Sequence, residues 1–279
     1  MIAGSRLPLA PCGPPLLMGV VNITPDSFSD GGRFFAPEAA IRQAEQLVDE
    51  GADLLDLGAE STRPGAPSLP LEEELLRLVP VMRACMKLGK PLSVDTCKPE
   101  VMRVAADLGA AMINDVRAFR APGAFEAGLE VARAGLSLVI MHMQREPATM
   151  QDAPEYVDVV AEVHDFLAAR IAAFHRAGVP TCQLAVDPGF GFGKTAAHNL
   201  TLLRHLGKLG DIGVGVLAGL SRKSTIGMVT GRKSPDERVF GSVAAALIAA
   251  QNGATILRVH DVAPTRDALR MWEAVRAAV

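Results

Sequence analysis

Short apolar runs alternate with longer helical patterns from one end of this 279-residue chain to the other. That alternation constrains the fold more than any single motif does. Leu16–Val21 precedes a helical pattern over Pro37–Glu50, and Asp53–Leu57 precedes Leu71–Leu88. Pro91–Val94 leads to Pro99–Leu108, Ala111–Ile113 to Gly123–Arg133, and Leu136–Met141 to Glu155–Ala177. Gln183–Val186 leads to Ala197–Leu206, Val214–Ala218 to Pro235–Gln251, and Ala254–Val259 to Pro264–Val279. Gly51, Gly89, Gly109, Gly135, Gly178 and Gly253 sit where a helix should stop in a left-handed turn. Eight strand–helix units with no linker between them predict an α/β protein, a closed (β/α)8 TIM barrel formed as one domain over residues 1–279. An open doubly wound sheet would more often carry a glycine fingerprint after its first strand, and none is there.

Composition narrows the partners. Hydrophobic residues are 49% of the chain and aromatics only 4%, so the core is built of Ala, Val, Leu and Ile, as helix–sheet packing allows. A formal charge of −3 without a lysine-rich tract argues against nucleic acid or an anionic membrane as partner. The four cysteines, Cys12, Cys85, Cys97 and Cys182, have neither paired nor zinc-ligand spacing. No apolar run approaches the about 20 residues that span a bilayer, and the N-terminus lacks the apolar segment of a signal peptide. The expectation is a soluble cytoplasmic protein.

In such a barrel the chemistry sits at the C-terminal strand ends. There the sequence places Asn22, then Glu60-Ser61-Thr62-Arg63-Pro64-Gly65, Asp95, Asn114-Asp115, His142, Asp187, Ser221-Arg222-Lys223, and finally Arg258 with His260. Every strand delivers a polar group to the same rim. Asp95, Asn114 and Asp187 offer oxygens that suit a flat ligand with an aminopyrimidine-like edge of paired N–H donors. Lys223, Arg63, Arg258 and His260, with the hydroxyls of Thr62 and Ser221, form a cationic half suited to phosphate or diphosphate. Asn22 could offer an oxygen to Mg²⁺, which rides with phosphate oxygens. Asp56 and Asp115 read as structural loop caps, His142 as a satisfied rim histidine, and Arg120, Arg145 and Arg232 as solvated charges. His164, His175, His198 and His205 lie away from the rim without metal-ligand spacing.

Two loops need separate treatment. The run after the first strand, Asn22 to Gly32, is rich in Asn, Thr, Asp and Ser with a lone Phe28 in its middle, and suits closure over a ligand. Asp187–Thr195, DPGFGFGKT, is not a P-loop, because Pro188 stands where Walker A needs a glycine. It reads as a tight loop against a flat ligand, with Phe190 or Phe192 near one face and Met141 near the other.

These stretches resemble dihydropteroate synthase almost end to end. MGVVNITPDSFSDGG (18–32), LGAESTRPGA (57–66), SVDTCKPEV (93–101), MINDV (112–116), MHMQ (141–144), VDPGFGFGKT (186–195), GLSRKS (219–224) and ILRVHDV (256–262) carry the resemblance in order. It implies condensation of 6-hydroxymethyl-7,8-dihydropterin diphosphate with 4-aminobenzoate to 7,8-dihydropteroate and diphosphate. It implies pterin binding by Asp95, Asn114, Asp187 and Lys223, with Met141, Phe192 and the Arg258 stem against its faces. Thr62, Arg63, Arg258 and His260 would hold the diphosphate, and Asn22 its Mg²⁺. Ser221, Arg222, Phe28 and Pro64 would shape the aminobenzoate pocket. The resemblance also implies a homodimer; faces such as Val243–Ala250 could bury the interface or simply pack on the barrel. A pterin-binding methyltransferase barrel has no use for the diphosphate-binding loop, and a silent pterin-binding paralogue need not keep it.

Overall fold

The computed structural model describes residues 7, 9, 13–23, 36–61, 68–144, 150 and 154–278. Eight parallel strands close on themselves in sequential order. They are β1 (Leu16–Asn22), β2 (Leu54–Gly58), β3 (Leu92–Asp95), β4 (Met112–Asp115), β5 (Ser137–Met141), β6 (Leu184–Asp187), β7 (Gly215–Ala218) and β8 (Ile256–Val259). Around them run α1 (Ala36–Asp49), α2 (Leu71–Cys85), α3 (Pro99–Asp107), α4 (Ala124–Arg133), α5 (Val159–Arg176), α6 (Ala196–Arg204), α7 (Ser224–Thr230), α8 (Val239–Gln251) and α9 (Val262–Ala277). The predicted barrel is the observed one. All six helix-closing glycines have positive φ, from 70° at Gly89 to 101° at Gly135, a conformation in which a Cβ is costly.

Local chemistry explains where helix boundaries depart from expectation. α5 starts at Val159 rather than Glu155, because the Asp158 carboxylate accepts the backbone N–H groups of Val160 and Ala161 at 2.9 and 3.1 Å. α7 is an additional short helix between β7 and the expected Pro235–Gln251 segment. It stops at Gly231 (φ 71°), and a 3₁₀ turn over Pro235–Arg238, capped by Ser234 and Glu237, leads into α8.

Period-two alternation splits each strand between two cores. Leu17, Leu55, Leu57, Val94, Ile113 and their equivalents pack outward against the helices. Met18, Leu54, Met112, Val139, Ala185, Leu217 and Ile256 fill the barrel with Leu7 and Leu9 from the N-terminal segment. That segment lies so close to β7 that a Cβ on Gly215 would come within 2.4 Å of the Leu9 carbonyl. One pleat further along, the same inward faces turn polar: Leu54 gives way to Asp56, Met112 to Asn114, Ala185 to Asp187 and Ile256 to Arg258. The dry interior therefore ends in a ring of charged and amide groups.

Candidate active site

Register brings the polar ring together. Asn22 pairs with Gly58, Gly58 with Asp95, and Asp95 with Asn114 on successive strands; Met141 pairs with Asp187. Arg258 crosses the mouth from β8. Its Nε donates to Asp56 Oδ2 at 2.6 Å and its Nη2 to Asp95 Oδ2 at 3.1 Å. Asn114 Nδ2 donates to the same Asp56 oxygen at 3.3 Å. Asp56 is fully buried. The loop-cap expectation for it is thus corrected: it is the carboxylate beneath the site that holds Arg258. Asp115 does cap its loop, accepting the N–H groups of Arg117 and Phe119, each at 2.7 Å.

Three carboxylates, Asp56, Asp95 and Asp187, face two cations, Arg258 and Lys223, in this mouth. Burial dominates the acid strengths of Asp95, Asp187 and Lys223. Burial pushes the Asp95 carboxyl up from 3.8 to about 7, against the pull of Arg258 and with the push of Asp56. Burial likewise raises Asp187, opposed by the Lys223 charge and by the Gly189 N–H that it accepts at 2.7 Å. Lys223 is brought down to about 8, again mainly by burial. Two acceptors of the ring, Asp56 Oδ1 and Asn114 Oδ1, are buried without a hydrogen-bond partner among the described residues, as is Ser93 Oγ on the same inward face. Each such group costs about 1–3 kcal/mol until a donor reaches it.

Lys223 is fixed by the β6–α6 loop. Its ammonium donates to the Phe190 carbonyl at 2.5 Å and lies 4.6 Å from the centre of the Phe192 ring. Phe190 itself is buried in the core, whereas Phe192 is half-buried against a small cluster of Met141, Met143, Met150 and Val116. Of the two aromatics, only Phe192 keeps an open side.

In the cationic half the expectation for His260 is revised. His260 sits with its Nδ1 3.0 Å from Ser221 Oγ, and burial, with Arg258 and Arg222 nearby, pushes it down to about 3. It is a neutral ring at pH 7, so it offers an N–H and no charge. Arg222, in the left-handed region at φ 59°, is held by both oxygens of Asp261 at 2.7 and 3.1 Å and by Asp236 at 2.6 Å. Its charge is already committed to protein carboxylates. Phe28, Thr62, Arg63 and Pro64 lie outside the described residues, as does Arg145. Asn22 is half-buried at the end of β1, and among the described residues no three His, Cys, Asp or Glu side chains could hold a metal.

Across residues 18–260 the chain matches the model of the pterin binding enzyme family. It is 47% identical over 265 residues to dihydropteroate synthase of Escherichia coli K12, covering 95% of this chain and 93% of that protein. The chain belongs to the dihydropteroate synthase family. A relative from Haemophilus influenzae is 49% identical, with 95% of each chain covered. The solved structure of Xanthomonas albilineans dihydropteroate synthase with 4-aminobenzoic acid superposes with a TM-score of 0.89 at 56% identity, covering 95% of this chain and 94% of that one. The same enzyme solved with 7,8-dihydropteroate gives 0.87 at 52% identity, covering 99% and 98%.

Beyond Asp56, the structure adds Lys194, Lys98 and Glu74 to the residues around the mouth, with Lys98 and Glu74 joined to the strand-end residue Glu60. Lys98 bridges Glu60, at the end of β2, to buried Glu74, which also accepts the Thr96 hydroxyl at 2.7 Å. Period-two counting from Leu54 would have placed Asp56 inside the barrel; no comparable signal marks Lys98.

A carboxyl whose folded-state pKa lies above its unfolded value binds extra protons in the fold. Its contribution favours folding at low pH and is lost as pH rises from about 4 to about 7. Wild type should therefore lose stability relative to Asp95→Asn across that window in urea denaturation. A difference between the two that does not change with pH would contradict the raised Asp95.

Proposed function

We propose that this chain joins 6-hydroxymethyl-7,8-dihydropterin diphosphate to 4-aminobenzoate, releasing diphosphate and 7,8-dihydropteroate. The observation carrying this reading is that, among the described residues, Asp56 Oδ1 and Asn114 Oδ1 are buried beside Asp95 without a hydrogen-bond partner. A pterin ring presents adjacent N–H donors at one edge, and such an edge satisfies carboxylate and amide oxygens together. In this reading Asp95, Asn114 and Asp187 take the donor edge, while Lys223 donates to the ring. Met141, Phe192 and the Arg258 stem flank its faces.

The reaction breaks the bond between the exocyclic CH₂ and diphosphate oxygen and forms a bond to the aminobenzoate nitrogen. Positive charge developing on the CH₂ spreads into the ring, where Asp95 and its neighbours stabilise it. Arg258 and the neutral N–H of His260, with Thr62 and Arg63, receive the departing diphosphate. The arylamine is neutral at pH 7 and needs no strong base; it loses its proton after attack. Ser221, Phe28, Pro64 and the stem of Arg222 form the aminobenzoate pocket, and the site's loops exclude water that would capture the cation.

Mg²⁺ fits as a companion of diphosphate. A lone neutral oxygen on Asn22 suits an ion that keeps most of its ligands as water and phosphate. When bound, the ion neutralises leaving-group charge, and Asn22 is the residue that would hold it.

The protein works as a homodimer in this reading. On α8, Phe240, Ala244 and Ile248 are exposed at spacings of four residues, and Met228 and Val229 are exposed on neighbouring α7. Such an apolar stripe is characteristic of a covered face. The cytoplasm is the proposed compartment, where free thiols such as Cys85 and Cys97 persist. No described helix is long and apolar enough to cross a membrane.

A diphosphate-release assay with Mg²⁺ tests the reaction. Wild type should release diphosphate and form dihydropteroate when both substrates are present, and Lys223→Ala should lose about 10²-fold or more in kcat/KM. Pterin binding without any release would sink the synthase reading and favour a silent paralogue. For the dimer, Phe240→Glu should convert the sedimenting species from dimer to monomer; an unchanged species would place the interface elsewhere.

A further inference from the structure

Lys194 follows the glycine-rich loop and is almost fully buried, at 3% exposure. Its ammonium has four acceptors: the His142 ring Nδ1 at 3.0 Å, the His142 carbonyl at 3.3 Å, and the Gly189 and Phe192 carbonyls at 3.0 Å each. Burial brings Lys194 down to about 7, opposed by the Asp187 charge, while its surroundings, three carbonyl oxygens and one ring nitrogen that can only accept, favour the ammonium form. Burial, then the Lys194 charge, lowers His142 to about 3, which leaves its ring neutral and able to accept.

The acceptors belong to two segments that touch backbone to backbone. Gly189 has φ 68°, and a Cβ there would lie 1.9 Å from the His142 carbonyl oxygen. Gly193 has φ 60°, and its Cβ would lie 2.8 Å from the Gln144 carbonyl. Tyr156 adds a stitch, donating its hydroxyl to the Gly193 carbonyl at 2.9 Å. Between Gly189 and Lys194 the loop carries the Phe190 carbonyl that receives Lys223 and the Phe192 ring beside it.

We propose that Lys194 is a positioning residue for pterin recognition, its buried ammonium tying the β6–α6 loop to the end of β5 so that Phe190 and Phe192 hold Lys223 in place. The proposal rests on the synthase reading for the identity of the ligand. Lys194 does not itself reach the substrate, because its ammonium is enclosed by the acceptors that it serves. Its loss leaves three carbonyls and a ring nitrogen without their shared donor, and the loop relaxes where Lys223 is anchored.

The test compares Lys194→Met with Gln183→Ala, each measured for thermal stability, for both KM values and for direct binding of 6-hydroxymethyl-7,8-dihydropterin. Gln183 is an equally buried tether, donating to the Ala132 and Leu136 carbonyls at 2.8 Å, away from the mouth. Lys194→Met should raise the pterin diphosphate KM and weaken pterin binding by about tenfold, with the aminobenzoate KM within about twofold. Gln183→Ala should lower stability while both KM values stay within about twofold. A folded Lys194→Met with unchanged pterin binding would overturn the proposal, as would an equal loss in Gln183→Ala. If Lys194→Met does not fold, Tyr156→Phe reads the same loop: about a threefold weaker pterin affinity is expected, and no change overturns the proposal. Wild type that binds pterin but forms no dihydropteroate would refute the synthase reading, while the binding comparison would still judge Lys194.

Discussion

The ion bridge from Asp56 through Arg258 to Asp95 is the constraint on which the rest of the barrel mouth depends. A guanidinium and two carboxylates are taken out of water at the top of an otherwise apolar interior, and desolvation on that scale is repaid only by close pairing. Arg258 Nε lies 2.6 Å from Asp56. That contact leaves Asp95 with the weaker share of the same cation, at 3.1 Å, and with a carboxyl that burial drives towards its neutral form. The bridge sets the direction of the Arg258 stem and leaves an acid ready to change charge when a donor-rich ligand arrives. Buried ion pairs of this kind are often no more stabilising than a hydrophobic filling of the same volume.

The apolar floor and the loops serve that network in different ways. Leu7 and Leu9 help fill the barrel below it, which keeps bulk water from the carboxylates on that side. From the rim, the β6–α6 loop delivers the Phe190 carbonyl and Phe192 to Lys223. The second cation is thereby fixed independently of the first. Arg222 and His260 complete the β7–β8 side, one spent on Asp261 and the other neutral.

Much of this was legible in the sequence because a parallel barrel turns position into function. Once the alternation identifies strands, their last residues fall on one rim, which is how Asp95, Asn114, Asp187 and Arg258 could be named before any geometry. Asp56 was missed because DLLDL was judged as a whole; pleat parity puts Leu55 and Leu57 outward and Asp56 inward. Lys194 carries no signal of its own, because the tie it makes joins the local carbonyls of Gly189 and Phe192 to His142, 52 residues earlier in the chain. The charge state of His260 depends on burial and on Arg222 and Arg258 together, which no local pattern encodes. α7 was illegible for a simpler reason: seven residues with an internal glycine carry too little periodicity to register.

In the proposed pterin site, burial holds the Asp95 carboxyl at about 7 beside Arg258, and the pterin's N–H edge draws off its remaining proton. Calorimetric titration with 6-hydroxymethyl-7,8-dihydropterin, near neutral pH in buffers of different ionisation enthalpy, measures this as protons exchanged on binding. Net proton release by wild type, and none by Asp95→Asn, is the expected result. Proton uptake, or equal release by both proteins, would contradict it.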